Sequence, residues 1–303
     1  MRRTLAAIIV AALVAGCGGD DEPQPDPGRF DEQRAFADLE AQLAFGPRPS
    51  GSAANRRQAD FLAERLREAG VSDVRIQRPY RNVVGTIPGT EDDAILLAAH
   101  HDTKDIPGFL GANDGASGVA VVLELARALP DRVSGPAVLF ALFDGEEARG
   151  DRTFEVDGLR GSRQYVDYAR RGVQGAPSLR EIRSMILFDL VGDCDLQIPR
   201  EANSDPELYE HIANQAPASS PFGGEAAPVA DDHLPFLEAG VDAVDLIDFT
   251  FGPGPSPGAW WHTPEDTLDK ICPESLDAVG EPVLSALPRA GGVTRDQTTR
   301  RYP

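Results

Sequence analysis

The chain has 303 residues, with 29 Lys and Arg against 49 Asp and Glu, for a formal net charge of -20. That balance excludes a nucleic-acid binder, which needs a basic footprint, and a surface drawn to anionic lipid. Three cysteines are too few for a disulfide scaffold, while 41% hydrophobic residues are enough to build a real core.

Arg2 and Arg3 precede an apolar run from Leu5 to Val14, then small residues and Cys17, which is the pattern of an export signal over residues 1–16. LVAGC resembles the bacterial lipoprotein signal, whose cysteine carries the lipid; an ordinary cleaved signal is the alternative. Residues 17–29, with GGDDEPQPDPG, are too polar and too rich in Pro and Gly to pack and read as a disordered tether. The protein is therefore expected outside the cytoplasm, in the cell envelope or secreted, and in contact with membrane only through such an anchor.

Helical spacing marks 31–45 through Phe36, Leu39 and Leu43, and 53–69 through Ala59, Leu62, Leu66 and Ala69, with Gly70 as a stop. The loop FGPRPSGS lies between them. Strand-length apolar runs follow at Val83–Ile87, Ile95–Ala99, Val138–Phe143, Met185–Leu190 and Val244–Ile247. Helical patterns separate or follow them at Gly118–Leu129, Ser162–Arg171, Glu207–Gln215 and Ser275–Leu287. Nearly continuous apolar strands alternating with helices predict an α/β fold in a single domain over 30–288, with a mostly parallel mixed central sheet and helices on both faces. Residues 289–303 read as a polar tail.

Ligand sites in open α/β sheets lie beyond the carboxyl ends of the strands. Here ILLAA is followed by His100, His101 and Asp102; VLFALF by Asp144, Gly145, Glu146 and Glu147; MILF by Asp189 and then Asp193. GANDGASG adds Asp114 in a Gly-rich loop before a helix, and WWHTPEDT adds His262. An isolated acid at a strand end is usually a cap or turn former, but so many in one cleft would repel one another without a counter-charge. A divalent cation is the simplest remedy, and His with Asp/Glu but no Cys suits catalytic zinc. In an extended segment His100 and Asp102 point the same way and His101 the other. His100 is then the inward residue, Asp102 its orienting partner, and His101 structural.

AAHHDTK, GANDGASG, FDGEE, FDLVG, DDHLPF and WHTPEDT, in this order, resemble the zinc aminopeptidases of the bacterial leucyl-aminopeptidase type. They resemble still more the glutaminyl-peptide cyclotransferases of the same zinc exopeptidase-like fold. The resemblance runs from FGPRPSGS to the helix after Ser275. It implies zinc held by Asp114, Glu147 and His262, and Glu146 as general base. In the peptidases a second zinc would take His100, Asp114 and Asp189; the animal cyclotransferases keep those residues but bind one zinc.

Four features favour the cyclotransferase branch. Asp231-Asp232-His233 stands where peptidases read Ser-Asp-His, which implies a proton-sharing set of Glu146, Asp189 and Asp231. Trp261, before His262, matches an indole that lines the substrate pocket, although core packing would also account for it. Lys104 after HHDT and the segment LRGSRQYV match as well. Two features depart: the segment GPGPSPGAW is longer and Pro-rich, so that Trp260 or Phe251 would replace a substrate-facing aromatic, and Arg152 or Phe154 lies near the place of a missing tryptophan.

The resemblance thus implies conversion of N-terminal glutamine to pyroglutamate with release of ammonia, on peptide or protein N-termini, by a monomer with one Zn(2+) per chain. The alternative is an aminopeptidase with two zincs. A third reading, an idle binding protein, is opposed by the intact Glu146 and metal set. Cys194 and Cys272 could pair in an oxidising compartment.

Overall fold

The computed structural model describes residues 28–287. The leader expected over 1–16, nearly all of the tether over 17–29 and the tail over 289–303 lie outside them. Helix α1 (Glu32–Leu43) starts at Asp31, whose carboxylate accepts the N–H groups of Gln33 and Arg34. Ser52 caps α2 (Ala53–Glu68) in the same way through Asn55 N–H. There follow β1 (Ser72–Ile76), β2 (Val83–Ile87), β3 (Ala94–His100), α3 (Ala116–Ala128), β4 (Ala137–Phe143), the short α4 (Phe154–Asp157), α5 (Arg160–Arg171) and β5 (Ile182–Asp189). The chain continues through β6 (Ile198–Glu201), α6 (Pro206–Ala213), β7 (Phe222–Ala226), the short α7 (Leu234–Leu237), β8 (Asp242–Ile247) and α8 (Pro273–Ala286).

The main sheet has the order β1-β2-β4-β3-β5-β8. Strands β4, β3, β5 and β8 run parallel, and β1 and β2 are antiparallel at one edge. It is the mixed, mostly parallel sheet that the apolar runs predict. Alternate side chains serve opposite faces, as the two-residue period of a strand requires. Leu97, Ala99, Phe140, Leu142, Ile186 and Phe188 pack with Leu39, Leu62, Val119 and Leu276 of α1, α2, α3 and α8. Leu96, Ala98, Leu139, Ala141, Met185 and Leu187 pack on the other side with Tyr165 and Val166 of α5 and Phe236 of α7.

Three strands depart from the sequence reading. β1 is an exposed, charged edge strand, SDVRI, with no apolar run to betray it. β6 and β7 form a separate two-stranded parallel sheet and carry Pro199 and Gly223-Gly224, residues that strands disfavour.

The parallel register sets the site. His100 lies opposite Phe143 across β3 and β4, and Asp189 opposite Ile247 across β5 and β8, so these strand ends open on one edge of the sheet. A Cys194–Cys272 disulfide ties the loop after β5 to the start of α8, 78 residues later. The amides of Cys194 and Cys272 reinforce that tie by donating to Lys270 O and Gly192 O. Among the described residues no helix is long and apolar enough to cross a membrane.

Candidate active site

His100 ends β3, and its Nε2 lies 3.3 Å from Asp114 Oδ1 and 3.3 Å from Asp189 Oδ1. Its Nδ1 faces the main-chain oxygen of Asp102 at 3.1 Å. The Asp102 carboxylate is 3.8 Å from Nδ1 and does other work. It accepts the N–H groups of Gly145, Glu146 and Glu147, at 2.8, 3.1 and 3.4 Å. Asp102 thus holds the turn after β4 against the end of β3, and that turn presents both glutamates. His101 points away, buried, with Nε2 against Arg81 O at 3.2 Å. Asp144 and Asp193 are structural: Asp144 takes Asn55 Nδ2 and Arg81 N–H, and Asp193 takes the N–H groups of Asp195 and Gly252.

His262 Nε2 lies 2.9 Å from Glu147 Oε1 and 3.3 Å from Asp114 Oδ2. Asp114 therefore stands between two imidazoles, one on each carboxylate oxygen. Two three-residue groups share it: His100, Asp114 and Asp189, and Asp114, Glu147 and His262, with donor atoms within 4.8 Å of one another in each. The backbone is bent at these positions. His262 and Leu190, the residue after Asp189, have φ of 54° and 49°, a left-handed conformation that is uncommon outside glycine and tends to mark functional sites. Gly115, which follows Asp114, has φ of 95°, and a Cβ there would lie 2.8 Å from Asp102 O. Only glycine lets the chain pass so close behind His100.

The electrostatics call for a cation. Burial would lower both imidazole pKa values, but the surrounding carboxylates outweigh it. Asp102, Asp114 and Asp189 hold His100 well above its ordinary value, and Asp114 and Glu147 hold His262 at about 10. Burial pushes Glu147 up, with Asp114 adding to it. Asp114 Oδ2 is buried and no hydrogen bond reaches it among the described residues. Two imidazoles and three acids pressed together form a donor set that fits zinc, which would displace their protons. Lys104 Nζ, 3.2 Å from Glu147 Oε2, supplies one fixed positive charge.

Glu146 is 8% exposed, and no described residue donates a hydrogen bond to its carboxylate. Burial raises its pKa well above the usual range, followed by the charges of Glu147, Asp231 and Asp232. Asp231 is likewise raised well above the usual range by burial, then by Asp189 and Asp232. Its Oδ1 accepts Asp232 N–H, and its Oδ2 has no hydrogen-bond partner among the described residues. Glu146, Asp189 and Asp231 share a field rather than direct hydrogen bonds. Asp232 is fixed by Ser162 Oγ, which lies in the LRGSRQYV segment.

Trp261 stacks on His262 with ring centroids 3.8 Å apart at 15°, and Phe249 meets it edge-on at 5.3 Å. Phe251 is fully buried and cannot face a substrate; Trp260 packs edge-on against it and lies under Lys270. Phe249, like Trp260, is partly exposed beside Trp261. Arg152 is exposed and pairs with Asp157 at 2.9 Å. Motif reading passes over Asp266 and Arg48, although both lie inside quoted motifs, because each acts on main-chain groups. Asp266 accepts the N–H groups of Asn113 and Asp114, and Arg48 donates to Leu110 O and Gly111 O.

Comparison with known proteins bears on the family and the fold. Residues 82–287 match peptidase family M28. A glutaminyl-peptide cyclotransferase-like protein of Mus musculus is 30% identical over 82% of this chain and 73% of its own length. Aminopeptidase YwaD of Bacillus subtilis is 30% identical over 64% of this chain and 40% of its own length. The crystal structure of an Acidobacteriales bacterium glutaminyl cyclase superposes with a TM-score of 0.74 at 31% identity, covering 89% of this chain and 97% of that one.

Proposed function

The chain belongs to peptidase family M28, and from that premise we propose that it is a zinc-dependent glutaminyl-peptide cyclotransferase. It would convert N-terminal glutamine of peptides or proteins to pyroglutamate and release ammonia. The observation that carries the reading is the buried Asp231, whose charge adds to burial and Glu147 in raising the pKa of Glu146, and whose own pKa is raised by burial and then by Asp189. The peptidases that the chain resembles read Ser in place of Asp231, so this acid is the feature that favours the cyclotransferase reading.

Asp114, Glu147 and His262 would hold one zinc ion, which when bound supplies a Lewis acid for the glutamine γ-carbonyl oxygen. Glu146 accepts a proton from the neutral α-amine as its nitrogen bonds to the γ-carbonyl carbon. It returns that proton to the departing nitrogen as the amide C–N bond breaks. One C–N bond forms, one breaks, ammonia leaves and no water is consumed. A glutamate with an ordinary pKa would be a poor acceptor for this proton; burial and its acidic neighbours make Glu146 a better one. Asp231, whose pKa is raised by burial and then by the charge of Asp189, can hold a proton beside it. Trp261, stacked on His262, lines the substrate pocket and keeps water from it.

The second group, His100, Asp114 and Asp189, favours one rival: a two-zinc aminopeptidase with Glu146 as base to a water. Incubating the zinc-loaded protein with glutaminyl and leucyl peptides separates the two. The proposal expects one zinc per chain and a glutaminyl product lighter by one ammonia. Two zincs and free leucine would replace it with the peptidase. The proposal includes export, with a lipid on Cys17, and the Cys194–Cys272 disulfide supports an oxidising compartment.

A further inference from the structure

Behind the acid cluster lies Arg48, which is 0% exposed. The charges of Asp266, Asp114 and Asp102 bear on it, yet its guanidinium pairs with none of them. Nη1 donates to Leu110 O, and Nη2 to Gly111 O at 2.9 Å. Its main chain is joined to the end of β3: Arg48 N–H donates to Thr103 Oγ1 at 2.9 Å, and Thr103 N–H to Arg48 O. Further along the same loop, the fully buried Asp266 receives Asn113 N–H at 2.7 Å and Asp114 N–H at 3.0 Å. A cation grips the carbonyls of the 110–114 segment and an anion grips its amides. Between them the chain bends so tightly at Gly111 (φ 57°) that a Cβ there would lie 2.3 Å from Asp114 O.

The residue delivered by this clamp is Asp114, whose two oxygens face His100 and His262 separately. A small rotation of the loop would withdraw one oxygen or the other. We propose that Arg48 and Asp266 are positioning residues of the metal centre: together they fix the orientation of Asp114 and so set the zinc affinity. Neither touches the ion or the substrate. The inference rests on Asp114 being a metal ligand. Arg suits the task because its planar fork meets two neighbouring carbonyls at once, which a lysine ammonium cannot do. Asp suits it because both oxygens accept; an asparagine in its place would aim an N–H group at a main-chain N–H.

The test is chelator competition on the full-length, zinc-loaded protein, its Arg48→Lys and Asp266→Asn variants, and Leu39→Ala as a control. Leu39 is a fully buried residue of α1, so its truncation lowers stability without removing any hydrogen bond to the 110–114 segment. Partners that orient metal ligands are worth about 10- to 100-fold in affinity. Asp266→Asn and Arg48→Lys should lose zinc affinity in that range, while Leu39→Ala melts earlier but binds zinc like the parent. If Arg48→Lys does not fold, Asp266→Asn decides alone. Parent-like zinc affinity in Asp266→Asn, or an equal loss in Leu39→Ala, would overturn the inference and leave the metal site standing. A parent that binds no zinc would overturn the metal assignment, and this inference with it.

Discussion

Glu146 and Glu147 are adjacent on one turn, yet their surroundings assign them different tasks. Glu147 faces His262 and Lys104, while Glu146 carries no hydrogen bond on its carboxylate among the described residues. Glu146→Gln should therefore keep zinc and lose about 10²–10⁴-fold in cyclisation, the usual worth of general acid–base catalysis. His262→Ala should lose the zinc itself; metal analysis beside an ammonia-release assay checks both. Asp231→Ser removes one of the charges that raise Glu146. The Glu146 pKa then falls, the acid limb of the kcat/KM profile moves to lower pH, and the maximal rate drops. An unmoved acid limb would count against Asp231 as a proton-holding neighbour. Site acids at strand ends are legible in a sequence because topology gathers them without knowledge of distance. Arg48 and Asp266 are not, because main-chain partners carry no sequence signature.

At the scale of elements, β3, β4, β5 and β8 announce themselves by apolar runs, since both their faces are covered. The β6–β7 ribbon does not, yet it holds up the Asp231 loop. Glu201, at the end of β6, accepts the N–H groups of Asn203, Ser204 and Val229, and lies 3.3 Å from His233 Nε2. Burial alone would raise the Glu201 pKa, but His233 and the amides outweigh it and bring it down to about 2 from an ordinary 4.5. A depressed carboxylate contributes stability above its unfolded pKa and loses it as pH falls through the folded one. Stability should thus decline between about pH 4.5 and about pH 2 in the parent, and Glu201→Gln should be less stable at neutral pH with a flatter decline. Chemical denaturation across that range measures it. The disulfide acts on the same scale: it closes a 78-residue span that holds both β7 and the His262 loop. Cys194→Ser with Cys272→Ser should cost about 2–5 kcal/mol of unfolding free energy, by the same denaturation curves.

Over the whole molecule, the fold is common to a peptide hydrolase and a cyclotransferase, so overall likeness does not choose between them. What chooses is whether water or the substrate's own amine attacks the carbonyl at this site. Buried acids gather around Asp114; in the proposed reading Asp114 and Glu147 would hold the metal while Glu146 and Asp231 would handle protons. The fate of water oxygen reads the difference directly. A glutaminyl peptide incubated with the zinc-loaded protein in heavy-oxygen water should give ammonia and a pyroglutamyl peptide with no label. Free glutamine released with heavy oxygen in its new carboxylate would contradict the account.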